Sequence, residues 1–118
     1  MSKTPEKRPL IPPDSFEDFK EATFKQIEKD FGLQGITITL SRECLTYLDI
    51  LKSLAKQLEE LELLTHPNFH SLLYQLDISE SFVFERISPK KGPEAIIHLA
   101  DSIIKRCFAK VWYRQRFK

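Results

Sequence analysis

Three histidines are the side chains in this chain that most often bind metal ions. His66 and His70 are four residues apart, a spacing that places two ligands on one face of a helix. Pro67 lies between them and indicates that His66 precedes the helix, since proline suits the first helical position. No third ligand follows nearby, and the remaining histidine and the two cysteines extend no known ligand spacing. The sequence therefore predicts no metal site and no cofactor.

Motifs for catalysis are also missing from the sequence. Three scattered glycines cannot form a phosphate-binding loop, and there is no Gly-x-Ser-x-Gly nucleophile elbow. His98 lacks the downstream lysine and small residue that accompany a phosphorelay histidine. Cys44 and Cys107 fall at apolar helical positions, which predicts buried free thiols in a reducing compartment. We predict a cytoplasmic protein that is not an enzyme and has no small-molecule substrate.

Positive charge is concentrated at the end of the chain. The overall net charge is +1, but residues 1–13 carry +2, residues 14–89 carry −7 and residues 90–118 carry +6. Basic side chains beside Trp112 and Tyr113 are of the kind that phosphate backbones and unstacked bases prefer. Alternatively, the cations stabilise the end of their own helix and pair with the acidic body, and we favour this interpretation. The predicted contacts to a partner or to nucleic acid are Lys105, Arg106, Lys110, Arg114, Arg116 and Lys118.

Several apolar side chains fall outside the predicted buried faces of the helices. They exceed what four helices obviously bury together, and an exposed apolar patch marks an interface. The alternative is that irregular packing buries them all. The predicted interface residues are Leu45, Leu63, Leu64, Tyr74, Ile78 and Phe82. Our leading hypothesis is therefore a small protein–protein interaction module, in one version self-associating. The rival hypothesis is a nucleic-acid-binding protein that uses the basic C-terminal helix.

The length of 118 residues predicts one domain over residues 14–118. Residues 1–13 contain four prolines and no periodicity, which predicts a disordered arm. The first helix should begin at Asp14 or Ser15 and end at Gly32 or Gly35. Residues 35–40 alternate apolar side chains with threonine, a strand pattern, but no second strand is evident. We therefore favour an extended connector over a strand. No apolar run is long enough to cross a membrane.

The rest of the chain predicts three more helices. One runs from a Ser41 cap to about Leu61, and the next begins near Pro67. If the latter were continuous, Glu80 would lie within its apolar stripe, so we predict a break or kink near Asp77, whose spacing to Glu80 resembles a capping box. The last helix begins at Pro93. The predicted fold is all-α, an antiparallel four-helix bundle; the runner-up is an irregular α-domain with steep crossings around Asp77.

Two residues are expected to lie in a core shared by the second and last helices. Leu51 and Ile104 both fall well inside the apolar stripes of their helices and away from the helix ends. Each should therefore be almost fully buried, whereas Lys105, opposite the stripe, should be exposed.

Overall fold

The structure of the protein is a computed structural model. It describes residues 15–43, 46–87, 89–90 and 93–116, with side chains from Phe19 to Gln115. Within these ranges the fold is all-α and contains no β-strand. The helices and helical turns are α1 (Ser15–Gly32), α2 (Tyr47–Glu60), a 3₁₀ turn (Leu63–Thr65), α3 (Phe69–Leu76), α4 (Glu80–Phe82), a π-helical turn (Val83–Ile87) and α5 (Pro93–Arg116). The all-α class is confirmed, whereas the antiparallel four-helix bundle stays a prediction. The predicted arm lies outside the described residues.

α5 is the helix on which the other elements pack. It contacts α1, α2, α3 and the π-helical turn, and it begins at Pro93 as predicted. Ile104 is 1% exposed, so its predicted burial is confirmed. Ile97 on the same helix is 45% exposed because it lies at the rim of a groove between α2 and α5.

α1 begins at Ser15 and ends at Gly32, both as predicted. Ile27 and Phe31 on its predicted apolar face are fully buried. Gly35 then takes a left-handed backbone with φ of +74°, a conformation that glycine adopts without steric cost. The N–H of Ile36 donates to the carbonyl oxygen of Phe31 at 3.0 Å, which directs the chain out of the helix.

Residues 36–41 are an extended connector, as favoured from the sequence. The alternation arises because Ile36, Ile38 and Leu40 are buried while the threonines face out. Side chains of α1 and α2 form the backbone hydrogen bonds that a partner strand would otherwise form. The Gln57 amide accepts from the N–H of Thr39 at 3.1 Å and donates to its carbonyl oxygen at 2.7 Å. The Glu28 carboxylate accepts from the N–H of Leu40 at 3.1 Å. The connector is therefore bound to both α1 and α2.

Arg42 fastens the end of the connector to α1. Its guanidinium donates to Glu21 at 3.0 Å and to Glu28 at 2.8 Å, and it lies 5.2 Å from the centre of the Phe24 ring. The hydrogen bond from Arg42 holds the pKa of Glu28 below its ordinary value, although burial acts in the opposite direction. The contact therefore depends on an ionised Glu28.

Replacing Glu28 with glutamine should lower the free energy of unfolding at neutral pH by up to about 1 kcal/mol, since partly exposed ion pairs contribute little. Because the pKa of Glu28 is lowered on folding, the ion pair stabilises the protein above the ordinary value of 4.5. That contribution is lost as the pH falls through the lower folded-state pKa. Denaturant titrations should show wild type and Glu28→Gln converging as the pH is lowered below 4.5. A difference that stays constant with pH would contradict this account.

α2 begins at Tyr47, not after Ser41, so its predicted start is wrong. Thr46 is the cap: its hydroxyl accepts from the N–H of Asp49, and the Asp49 carboxylate accepts from the N–H of Thr46, both at 3.1 Å. This reciprocal pair is a capping box, which satisfies two otherwise unpaired donors. Residues 44–45, which the predicted helix included, lie outside the described part of the chain.

The buried face of α2 is centred on Ile50, Leu54 and Leu58, each 0% exposed. Leu51 is only partly buried, so its predicted full burial is wrong, and Leu48 is 53% exposed. The physical reason is that α2 packs both on α5 and on the connector. These two contacts turn Ile50 inward and leave Leu48 at the edge.

The predicted break near Asp77 is confirmed, but its capping residue differs from the prediction. Asp77 takes a left-handed backbone at the end of α3, and the N–H of Ile78 donates to the carbonyl oxygen of Leu73 at 2.9 Å. The cap of α4 is Ser79, whose hydroxyl accepts from the N–H of Phe82 at 3.0 Å. Glu80 is exposed as a result, which avoids burial of its carboxylate.

Candidate functional site

Two aromatic side chains near the α3–α4 corner are unusually exposed. Tyr74 on α3 is 90% exposed and Phe84 in the π-helical turn is 76% exposed. Each lines a groove, of about 620 Å³ beside Tyr74 and about 410 Å³ beside Phe84. Leu73 and Glu80 line both grooves. The two aromatic rings therefore lie in adjoining grooves that share part of their lining.

A third groove continues this surface toward the end of α5. It measures about 620 Å³ and has Phe82 and Tyr113 in its walls. It shares Ile78 and Ser79 with the groove beside Tyr74. The three grooves form one continuous region, which we call the aromatic surface. Its principal apolar side chains are Leu64, Leu73, Tyr74, Phe82, Phe84 and Tyr113.

The aromatic surface is lined by four of the six predicted interface residues, Leu64, Tyr74, Ile78 and Phe82. Tyr74 is exposed there, and Leu64 and Phe82 are partly buried at its edges. Leu63 is 0% exposed and Ile78 is 9% exposed. These two belong to the core and offer little surface to a partner. Leu45 lies outside the described residues.

Phe84 is an exposed residue that the sequence analysis missed. Val83 and Ile87 in the same turn are both buried. The π-helical turn over Val83–Ile87 changes the helical register and points Phe84 outward. A signal existed: Phe82, Val83 and Phe84 are consecutive apolar residues, and a helix cannot direct three neighbours toward one core.

A cluster of buried polar side chains joins α1, α3 and α5. Asp30 is 1% exposed, and its carboxylate accepts from Lys110 Nζ at 2.8 Å and from Gln26 Nε2 at 2.9 Å. Lys110 also donates to the carbonyl oxygen of Gln75 at 2.9 Å. Buried charges persist in proteins when they are paired in this way. The cluster therefore fixes the relative positions of three helices.

The cations predicted to contact nucleic acid are largely engaged within the chain. Lys105 pairs with Asp101 at 3.1 Å, Arg106 pairs with Asp77, and Lys110 pairs with Asp30. Arg114 donates to the Gln26 amide oxygen at 2.8 Å. The Arg116 side chain and Lys118 lie outside the described residues. Nucleic-acid binding through these side chains stays a prediction.

Raised pKa values keep two side chains, Cys107 and Tyr47, in their neutral forms. Burial raises the pKa of the Cys107 thiol, and the nearby Asp30 carboxylate adds to the effect. A buried thiol with a raised pKa is not a thiolate nucleophile. Burial also raises the pKa of Tyr47, whose hydroxyl donates to Asp101. Both side chains therefore serve packing and hydrogen bonding at neutral pH.

Each histidine has a local partner. His66 Nδ1 accepts from the N–H of Asn68 at 3.0 Å, and His70 lies 3.0 Å from the Glu80 carboxylate. His98 meets the Phe82 ring edge-on with 5.7 Å between ring centres. Among the described side chains, no group of three or more His, Cys, Asp or Glu residues could hold a metal ion.

A separate apolar groove of about 270 Å³ lies between α2 and the start of α5. Leu48, Leu51 and Ala55 form its wall on α2, and Pro93, Ile96 and Ile97 form its wall on α5. Lys52, Lys56 and Glu59 also line it. We call it the α2 groove.

Comparison of the chain with known protein families, with curated proteins and with solved structures found no match. Within the described ranges, no helix combines the length and apolar character needed to span a membrane. The basis for a function is therefore the geometry of the two surfaces described above.

Proposed function

We propose that this protein is a non-enzymatic protein–protein interaction module whose partner binds the aromatic surface. The observation that carries the proposal is the exposure of Tyr74 and Phe84 in two adjoining grooves. Exposing large aromatic rings to water forgoes the free energy that their burial provides. Tyrosine and other aromatic residues are enriched at the energetic centres of protein interfaces. A partner that covers these rings recovers that free energy.

Polar groups at the aromatic surface add specificity to the proposed contact. The Nε atom of Arg106 is buried and has no hydrogen-bond partner among the described atoms, and Arg106 lines the groove between Phe82 and Tyr113. Arg106 pairs with Asp77, which lines the adjoining groove beside Tyr74. A bound protein would therefore meet a charged pair next to the aromatic rings.

Nucleic-acid binding by α5 is the alternative, and it has less support. Lys105, Arg106 and Lys110 already pair with carboxylates. A phosphate backbone would have to compete with these partners for the same cations. In the test below, nuclease treatment separates the two hypotheses.

Two finer points belong to the same proposal. The helices form an antiparallel four-helix bundle, which is supported by α2 and α5: Tyr47 at the start of α2 bonds Asp101, while Glu59 near its end lines a groove with Pro93.

The protein works in the cytoplasm, which is supported by the free, buried thiol of Cys107.

The double replacement Tyr74→Ser with Phe84→Ser should abolish binding of the partner without unfolding the protein. Both rings are largely exposed, so their removal costs little stability, whereas loss of interface aromatic residues typically costs about 2 kcal/mol or more each in binding. The measurement is affinity co-purification of the tagged full chain from its native cells, with and without nuclease.

The matched control is Leu33→Ser, because Leu33 is 59% exposed and lines none of the three grooves of the aromatic surface. The proposal predicts a protein partner that is retained by wild type and Leu33→Ser, lost by the double variant and unaffected by nuclease. Retention by the double variant, or loss on nuclease treatment, would contradict it.

A further inference from the structure

The outer face of α2 carries charges in an order that opposes the dipole of the helix. Lys52 and Lys56 precede Glu59 and Glu60, and all four side chains are exposed. A helix dipole favours anions near the start and cations near the end, and the last turn of α2 contains no basic residue. None of these four side chains forms an ion pair with another residue in the described part of the chain. In the isolated chain these four charges are therefore solvated by water and are available to a partner.

These charges border exposed apolar surface. Leu48, Lys52 and Glu59 follow one another on a single face of α2, since they are separated by four and seven residues. All three line the α2 groove, where Leu48 is 53% exposed and Ile97 on α5 is 45% exposed. A helix that docks here would cover the apolar side chains and meet the charges at the same time.

We propose that the α2 groove binds α2 of a second copy of this chain, antiparallel to the first. The inference rests on the proposed function, protein–protein interaction, and adds a second surface with a defined partner. The charge order is self-complementary. Lys52 and Glu59 are seven residues apart, or about 10 Å along the helix. A two-fold axis between Ala55 and Lys56 therefore brings Lys52 of each copy opposite Glu59 of the other.

The same arrangement accounts for the other features of the groove. Ala55 is small and lies at the crossing point, which allows the two helices to approach closely. Each Leu48 then lies over the Glu59 end of the other copy's groove and is removed from water. The two helix dipoles run in opposite directions, and each copy supplies opposite charges for Lys52 and Glu59 of the other. Such a two-fold contact is closed, so it produces a dimer and not a chain of molecules.

The test is sedimentation equilibrium of the full chain as wild type, Lys52→Glu, Glu59→Lys and the double variant Lys52→Glu with Glu59→Lys. The three variants change only the exposed side chains of Lys52 and Glu59, and circular dichroism verifies folding. The wild type should form dimers as its concentration rises to about 1 mM, where even a weak interface associates. Each single reversal places like charges opposite one another and should weaken the dimer at least about tenfold. The double reversal restores opposite charges and should restore dimerisation.

A wild type that stays monomeric at the highest concentration would overturn the inference, as would single reversals that leave the dimer unchanged or a double variant that fails to recover. The variant Tyr74→Ser with Phe84→Ser separates the two proposals. If that variant abolishes the dimer and the α2 variants do not, self-association uses the aromatic surface, so this inference fails while the proposed function stands. If the α2 variants behave as expected but no partner binds the aromatic surface, the dimer stands without the proposed function.

Discussion

Replacing Lys110 with methionine should destabilise the protein by about 3–5 kcal/mol, because it leaves a buried carboxylate without its counter-charge. Asp30 is 1% exposed and lies 2.8 Å from Lys110 Nζ. Methionine fills most of the volume of the lysine stem, so the loss arises from the unpaired charge and not from a cavity. Chemical denaturation followed by circular dichroism measures the change.

A matched control and a compensating change make this prediction specific. Lys105→Met on the same helix also removes a lysine paired with an aspartate, but that lysine is 59% exposed, so the cost should be at most about 1 kcal/mol. Adding Asp30→Asn to Lys110→Met removes the unpaired carboxylate charge and keeps an acceptor for Gln26. It should therefore recover part of the lost free energy of unfolding. Equal effects of Lys110→Met and Lys105→Met would contradict the buried cluster.

Replacing Leu54 with alanine should cost about 2–5 kcal/mol of the free energy of unfolding, because it leaves a cavity in the core. Leu54 is 0% exposed, whereas Leu48 on the same helix is 53% exposed. Leu48→Ala should therefore cost much less, and Leu51→Ala should fall between the two because Leu51 is partly buried. Ile104→Ala should match Leu54→Ala, since Ile104 is 1% exposed. The measurement is denaturant titration of all four variants.

The order of the three leucine variants tests the orientation of α2. A loss at Leu51 as large as the loss at Leu54 would restore the orientation expected from the sequence and contradict the one described here. Leu48→Ala is also informative for the dimer, because its effect on stability should be small while its effect on self-association should be clear.

Elements with strong local signals could be predicted from the sequence. Pro93 marks the start of α5, and a continuous apolar stripe identifies Ile104 as a core residue. The break near Asp77 follows from the cost of burying Glu80. The start of α2 could also have been predicted, because Thr46 and Asp49 have the capping-box spacing. Ser41, an equally suitable capping residue, was chosen instead.

Long-range features could not be predicted in the same way. Lys110 and Asp30 are eighty residues apart in sequence, so their pairing depends on how α1 and α5 meet. The predicted burial of Leu51 was wrong because α2 is bound on a second side by the connector, through the hydrogen bonds of Gln57. At the aromatic surface, Tyr74 was identified as an apolar residue off the buried stripe, whereas Phe84 depends on a π-helical turn that apolar spacing does not reveal.

The most direct test of the central claim is site-specific photo-crosslinking from the aromatic surface in native cells. A benzophenone amino acid replaces Tyr74 in one variant and Leu33 in another, and both positions are exposed. The proposed function predicts that irradiation joins position 74 to another protein, while position 33 gives no such product. A position 74 that forms no protein crosslink, or that captures only nucleic acid, would contradict the claim that the aromatic surface binds a protein.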